Sequence, residues 1–181
     1  MKELKKLNIG CGNKIFKDYV NIDFIKGKGV DLVYDLNEYP WPFKNDSIEE
    51  IYCDNVLEHL DNFDKALKEI NRMLKSRGKV IIKVPYFSNP GAFNPNHRSF
   101  FSYYSLDMYC TNTIQSMDLK QPLFRMLNRK ITFLDEYNHS IWIRLFYIIP
   151  RIFYKIDPKL YIWLLSYRFP ASELHFKMEK L

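Results

Sequence analysis

The segment GKVIIKVPY, residues 78–86, sets Val80, Ile81, Ile82 and Val84 almost without polar interruption. A strand apolar on both sides has to be covered on both faces, the condition of a central strand in a parallel sheet. Four earlier stretches share this character: KKLNIG as a first strand, YVNIDF as a second ending at Asp23, VDLVYDL as a third ending at Asp35, and SIEEIYCDNV as a fourth. Before the fifth strand lies the clearest helix, with Phe63, Ala66, Leu67, Ile70, Met73 and Leu74 on one face. Asp61 or Asn62 is placed to cap its start, and Gly78 to close it after Lys75 and Arg77. Strands alternating with helix predict an α/β fold. Only NKIFKDY separates Gly12 from the second strand, whereas a parallel crossover normally takes a dozen residues or more, so a turn or irregular loop is expected there.

After Pro85 the composition changes. YFSNPGAFNPNHRSFFSYYS is rich in Asn, Pro, Ser and aromatics and reads as an ordered loop or lid. FRMLNRKITFLD is a sixth strand, and ASELHFKMEK, alternating Leu174, Phe176 and Met178 with polar residues, a half-buried last one. Between them an aromatic and aliphatic stretch, broken by Pro150 and Pro158, predicts two or three short helices. A chain of 181 residues suits one domain. The change after Pro85 divides it into residues 1–85 and 86–181, the second with a helical aromatic insertion near 139–169.

Cys11, Cys53 and Cys110 are odd in number and show no CxxC spacing, which points to a reducing, cytoplasmic compartment without a disulfide framework or a zinc site. No metal ligands are assigned. The basic start lacks the long apolar region of a secretory signal, and no stretch of about 18 residues is apolar and uncharged, so neither a signal peptide nor a transmembrane helix is expected. The net charge of +6 is uneven. Residues 1–119 hold 16 Lys/Arg and 16 Asp/Glu, while residues 120–181 hold 11 and 5. A basic last third suits an acidic partner, or simply solvated lysines.

Gly10 and Gly12 end the first strand, and open α/β sheets bind ligands at the carboxyl ends of their strands. Without a Cβ, glycine admits close approach of a ligand; it also makes tight turns, and GxG alone does not separate the two. A dinucleotide fingerprint would need a further glycine where Ile15 stands. Asp23, closing the second strand, is placed to accept both hydroxyls of a ribose or else to cap a turn. Asp35 repeats the pattern at the third strand. Cys11, between the glycines, has no His partner in sequence to make it a nucleophile, and reads as a small residue at a turn.

In order along the chain, LNIGCGN, VNIDF, DLVYDLNEYPWPF, SIEEIYCDNVLEHL, ALKEINRMLKSRGKVIIKVPY and NPNHRSFFSYYSLDMY resemble the class I S-adenosylmethionine-dependent methyltransferases. The nearest likeness is to the small bacterial type linked to polysaccharide biosynthesis. The resemblance spans roughly residues 6 to 110, with ASELHFKMEK similar to the family's last strand. It implies a Rossmann-like fold: a central seven-stranded, mostly parallel sheet in the order 3-2-1-4-5-7-6, flanked by helices, with the last strand antiparallel. It implies a single methyltransferase domain with S-adenosyl-L-methionine as cofactor, residues 1–85 forming the cofactor-binding half and 86–181 the substrate-side half. Asn8, Gly10, Cys11 and Gly12 would face its methionine moiety, Asp23 its ribose, Phe24, Asp35 and Leu36 its adenine, and Asn55, Val56 and His59 its methionine end. Asn8 stands where the family more often has an acid, Lys14 where it has a third glycine, and Ser76–Arg77 replaces the usual Pro–Gly of LKPGG.

For the acceptor side, His97 is the candidate base, and Tyr86 and Arg98 are candidates for binding a polar acceptor. His59, beside Glu58, also reads as a structural cap, and His139 and His175 as ordinary loop or strand residues. Residues 141–169 interleave Arg144, Arg151, Lys155, Lys159 and Arg168 with Trp142, Phe146, Tyr147, Phe153, Tyr154 and Trp163. Three readings stay open: a cap over the substrate, an amphipathic surface peripheral to the inner face of an anionic membrane, or a homo-oligomer interface. No RNA-binding motif accompanies these residues, so nucleic acid is not the expected partner. The leading expectation is methyl transfer to a small-molecule or glycan acceptor. The alternatives are a nicotinamide-dependent Rossmann enzyme and a degenerate methyltransferase fold serving as a membrane-surface binding subunit.

Overall fold

The computed structural model describes residues 6–113, 122–133 and 140–181. Seven strands form one sheet: β1 (Lys6–Ile9), β2 (Val20–Asp23), β3 (Leu32–Val33), β4 (Ile48–Asp54), β5 (Leu74–Pro85), β6 (Phe124–Thr132) and β7 (Glu173–Lys180). Their order is β3-β2-β1-β4-β5-β7-β6. The first five run parallel, and β7 is antiparallel to both β5 and β6. The predicted topology is therefore observed.

Helix α1 (Phe63–Met73) starts where Asn62 accepts a hydrogen bond from the Lys65 N–H at 2.9 Å. Its Ala66, Leu67, Ile70 and Met73 are buried in one core with Leu7, Ile9, Ile51, Val80 and Ile82. It does not run on to Gly78. Leu74 leaves the helix to pair with Ile48, and the register then jumps so that Glu50 faces Lys79. The extra residues bulge, with Arg77 at φ 60°. A Cβ on Gly78 would lie 2.8 Å from the Lys75 carbonyl oxygen. Gly78 thus serves close packing inside a bulge, not a helix cap.

The link from Gly12 to β2 holds no helix, as its shortness predicted, and none lies elsewhere within residues 10–47. On that face of the sheet aromatic side chains do the covering: the Phe16 ring packs edge-on against Tyr19 and Tyr52, with centroids 5.1 and 5.0 Å apart. Cover by a loop is thinner than cover by a helix. Along β5 only alternate residues are fully buried, with Val80, Ile82 and Val84 inside and Ile81 half-exposed. β3 is shorter than its apolar run suggested, so Asp35 lies beyond the strand's end.

Past β5 the chain forms an irregular lid with two short 3₁₀ turns, Pro90–Phe93 and Asp107–Tyr109. The predicted helices appear as α2 (Ile141–Phe146), α3 (Ile148–Ile156) and α4 (Pro158–Leu160), the last leading into a π-type turn at Tyr161–Leu165. Their inner aromatics, Tyr147, Tyr154 and Tyr161, gather around Phe133 of the domain core. The outer side stays apolar and open: Trp142 and Trp163 are each 76% exposed and Ile156 71%. Among the described residues no helix is long and apolar enough to cross a membrane. His139 and residues 134–135 of the predicted sixth strand lie outside the described residues.

Candidate active site at the carboxyl ends of the parallel strands

Two clefts meet above the tips of β1, β2 and β4. The first, of about 650 Å³, is lined by Gly10, Asp23, Phe24, Asp35, Leu36, Asn55, Val56 and His59, all assigned to the cofactor from the sequence. The second, of about 680 Å³, is lined by Lys14, Asp54, Glu58, Lys83, His97, Glu173 and His175, and shares Asn55 and His59 with the first.

The two glycines have different reasons to be glycine. Both adopt positive φ, 61° at Gly10 and 48° at Gly12. A Cβ on Gly10 would fall 2.2 Å from Val56 Cγ2, so Gly10 makes room for a side chain of the protein itself. A Cβ on Gly12 would meet nothing within 4 Å. The turn is locked by Asp23: one carboxylate oxygen accepts from the Gly12 N–H at 2.8 Å and the other from the Ile25 N–H at 3.0 Å. Each oxygen keeps a lone pair for a further donor. The Phe24 ring beside it is 70% exposed.

Other assigned residues sit differently. Asn8 is buried, and its amide donates to the Lys14 carbonyl at 2.6 Å and to Asn21 Oδ1 at 2.9 Å; it braces the loop and does not line the first cleft. Cys11 is buried, and burial, with Asp23 adding, pushes its thiol pKa up, which fits a small turn residue and not a nucleophile. Tyr86 is fully buried, packed against Phe87 and Tyr161, so its side chain is closed to an acceptor. A tyrosine directly after the core strand β5 continues that strand's buried register. Arg98 borders the first cleft and not the second, and pairs with Asp61 at 3.5 Å. His97 lines the second cleft as expected.

Lys14, standing in place of a glycine, ties the first loop to β4: its ammonium donates to Asp54 Oδ2 at 2.8 Å and to the Tyr52 hydroxyl at 3.0 Å. Lys83 approaches the same Asp54 oxygen at 3.6 Å. Glu173 accepts from the Asn55 amide at 3.2 Å and faces His175 Nε2 at 2.9 Å.

Sequence reading missed Glu58. The side chain is 1% exposed, and neither carboxylate oxygen has a well-formed hydrogen bond among the described residues. Burial pushes its pKa up to about 7; its own backbone N–H draws the other way, and Asp54 and Glu173 add to the rise. The available signal was the acid within VLEHL, at a position flanked by Val56, Leu57 and Leu60. The Glu58 carbonyl also accepts from the Arg98 and Ser99 N–H groups, at 2.6 and 3.2 Å, which clamps the lid loop onto this turn. The clamp sets His97 edge-on to His59, with ring centroids 4.7 Å apart.

Comparison with known proteins agrees with this geometry. Residues 7–82 match the family described as a methyltransferase domain. An uncharacterised protein of Methanocaldococcus jannaschii is 51% identical in an alignment of 95 residues that covers 46% of this chain; the chain spans 41% of that relative's length. Among solved structures, the [4+2]-cyclase SpnF is similar with a TM-score of 0.60 at 14% identity, over 98% of this chain and 74% of that one. An S-adenosylmethionine-dependent methyltransferase from Archaeoglobus fulgidus has a TM-score of 0.56 at 17% identity, over 97% and 86%. The 1,6-didemethyltoxoflavin-N1-methyltransferase of Burkholderia thailandensis, solved with S-adenosylhomocysteine, has a TM-score of 0.53 at 14% identity, over 97% and 70%.

Proposed function

We propose, for a chain that carries a methyltransferase domain over residues 7–82 on a class I methyltransferase fold, that it binds S-adenosylmethionine in the first cleft and methylates a small polar or glycan-type acceptor held in the second. The observation that carries this reading is the gathering of Gly10, Asp23, Phe24, Asp35, Leu36, Asn55 and Val56 around one cleft by separate strand ends. The nicotinamide alternative has no comparable support, since the matched family is a methyltransferase domain.

The chain's residues divide the work. Asp23 offers its remaining lone pairs to ribose hydroxyls, and Phe24 an open ring face to adenine. Asn55 and His59, at the junction of the clefts, border the place where methyl donor and acceptor meet. S-adenosylmethionine supplies a methyl group on a positively charged sulfur, already an activated leaving group. The protein therefore contributes mainly alignment of the acceptor atom behind that methyl. The second cleft, lined by Lys14, Asp54, Lys83, Glu173 and His175, suits an acceptor with several hydroxyls or other polar groups. His97 donates Nδ1–H to the Ala92 carbonyl at 2.9 Å, which leaves Nε2 as its basic nitrogen.

Titration calorimetry with S-adenosylmethionine, S-adenosylhomocysteine and NAD tests the cofactor. Saturable binding of the adenosyl ligands, weakened at least tenfold in Asp23→Asn, is expected. NAD binding alone, or no binding by folded protein, refutes the reading.

The exposed Trp142, Phe146, Ile156 and Trp163, with Arg144, Arg151, Lys155, Lys159 and Arg168 on the same helical stretch, favour a second feature: peripheral attachment to an anionic membrane, from the cytoplasmic side. Sedimentation with anionic liposomes should show pelleting that falls as salt rises. Absence of pelleting refutes the attachment, and a concentration-dependent dimer would assign the face to a second copy.

A further inference from the structure

Glu58 presents an anomaly. An acid has been placed 1% exposed with both oxygens unpartnered, yet it lines a cleft. Buried carboxylates are retained when something meets their charge. The basic groups of the same cleft do not, because Lys14 and Lys83 are engaged by Asp54.

What stands beside Glu58 is two imidazoles. One nitrogen of His59, one of His97 and one oxygen of Glu58 lie within 4.8 Å of one another. Ligands about 2.1 Å from a tetrahedral cation sit roughly 3.5 Å apart, so closure by at most about 1.3 Å brings the three into a coordination shell. Each histidine holds its Nδ1 toward a backbone carbonyl: His59 Nδ1 toward the Asn96 oxygen at 3.3 Å, and His97 Nδ1 toward the Ala92 oxygen at 2.9 Å. A carbonyl can only accept, so each Nδ1 carries the proton and each Nε2 keeps its lone pair. Metal-ligating histidines are oriented in this way. The clamp of the Arg98 and Ser99 N–H groups on the Glu58 carbonyl holds the lid loop with His97 against Glu58 and His59.

We propose that Glu58, His59 and His97 form a binding site for one divalent transition-metal ion of the zinc or manganese class, with its remaining coordination positions open to the acceptor cleft. Two imidazoles and one carboxylate suit such an ion better than magnesium or calcium, which favour all-oxygen shells. The site stands on its own residues; its role rests on the methyl-transfer reading. There, an acceptor hydroxyl bound to the ion loses its proton to solvent more readily. Its oxygen then forms a bond to the methyl carbon as the carbon–sulfur bond breaks, and the electron pair passes to sulfur to give the neutral thioether. The assignment makes His97 a ligand and frees it from the part of base. It also selects acceptors that present a hydroxyl oxygen.

The test is calorimetric titration of the chelator-treated full chain with Zn²⁺ and with Mn²⁺, alongside S-adenosylhomocysteine as a separate ligand. One equivalent of Zn²⁺ or Mn²⁺ should bind, with affinity falling more than about 100-fold in Glu58→Gln and in His97→Ala. In metal-free protein, Glu58→Gln should melt at or above the wild-type midpoint, since it removes a buried acid without a partner. A lower midpoint would make Glu58 a structural residue and overturn the site. His97→Ala, in the half-buried lid loop, gives a second reading of metal affinity that does not depend on the Glu58 variant. Protein that binds S-adenosylhomocysteine but no stoichiometric metal overturns the site and leaves the methyltransferase reading intact. Metal affinity unchanged in both variants overturns it as well. Metal binding without S-adenosylhomocysteine binding keeps the site and removes its proposed role.

Discussion

Gly10→Ala is the substitution whose cost the structure specifies most closely. The new Cβ would stand 2.2 Å from Val56 Cγ2, and the residue would be held at φ 61°. A left-handed backbone costs an L-residue about 1–2 kcal/mol. The overlap with a branched side chain that is 8% exposed adds about 1–3 kcal/mol, as overpacking of a core does. The expected loss is therefore about 2–5 kcal/mol by urea denaturation, a large share of the stability of one domain. Gly12→Ala is the internal control: φ is 48° and nothing lies within 4 Å, so only the backbone cost remains, about 1–2 kcal/mol. In the double variant Gly10→Ala/Val56→Ala the 2.2 Å overlap is removed, and the nearest atom left is the Cβ of residue 56 at 3.2 Å. The double-mutant cycle should then show a favourable coupling of about 1–3 kcal/mol, a value outside ordinary additivity. Because Gly10 and Val56 both line the first cleft, Gly10→Ala should also weaken S-adenosylhomocysteine binding, and the double variant should recover part of it. An additive cycle, or a Gly10→Ala cost no larger than that of Gly12→Ala, would refute the assignment of Gly10 to side-chain clearance.

Other expectations follow from single contacts. Glu69 receives both the Arg72 guanidinium and the Trp41 N–H, and this pairing, led by Arg72, holds its carboxyl below the usual value of 4.5. With the folded pKa depressed, the stabilisation is complete above about 4.5 and fades as pH falls through the folded value. Glu69→Gln should therefore narrow the stability gap between neutral and strongly acid pH, and an unchanged gap would count against the contact. Arg129 pairs with the buried Asp107, with side chains 10% and 1% exposed. Arg129→Met should cost about 3–5 kcal/mol by leaving that carboxylate alone, and Arg129→Met/Asp107→Leu should restore much of it. Thermal unfolding of the pair reads this directly, and a double variant no better than the single refutes it. The exposed Phe24 ring should matter to ligand and not to fold: Phe24→Ala lowers S-adenosylhomocysteine affinity several-fold with the melting midpoint unchanged, and a matched loss of stability would contradict that role.

Much of the fold and one side of the site can be read from the residues in order. Phe63 to Met73 demand an amphipathic helix and the short link after Gly12 forbids a crossover helix, and both hold; Val80 to Val84 demand a covered strand, which holds for Val80, Ile82 and Val84 on one face and only in part for Ile81 on the other. Asp23 and Gly10 are legible for the same reason: each closes a local apolar run, and strand ends in such sheets converge on a ligand. What the tertiary structure alone decided is every feature resting on a contact between distant segments. Gly78 looks like a helix cap until Leu74 is seen pairing with Ile48. Tyr86 looks like a lid residue until Phe87 and Tyr161 close over it. Lys14 looks like a lost glycine until it meets Asp54. Glu58, His59 and His97 become one cluster only because the backbone of Arg98 and Ser99 hydrogen-bonds to the Glu58 carbonyl. Hydrophobic periodicity is a local property of the chain and is written in it residue by residue. Proximity across some 40 residues is set by how two packed segments share a small set of hydrogen bonds, and no spacing in the sequence encodes it.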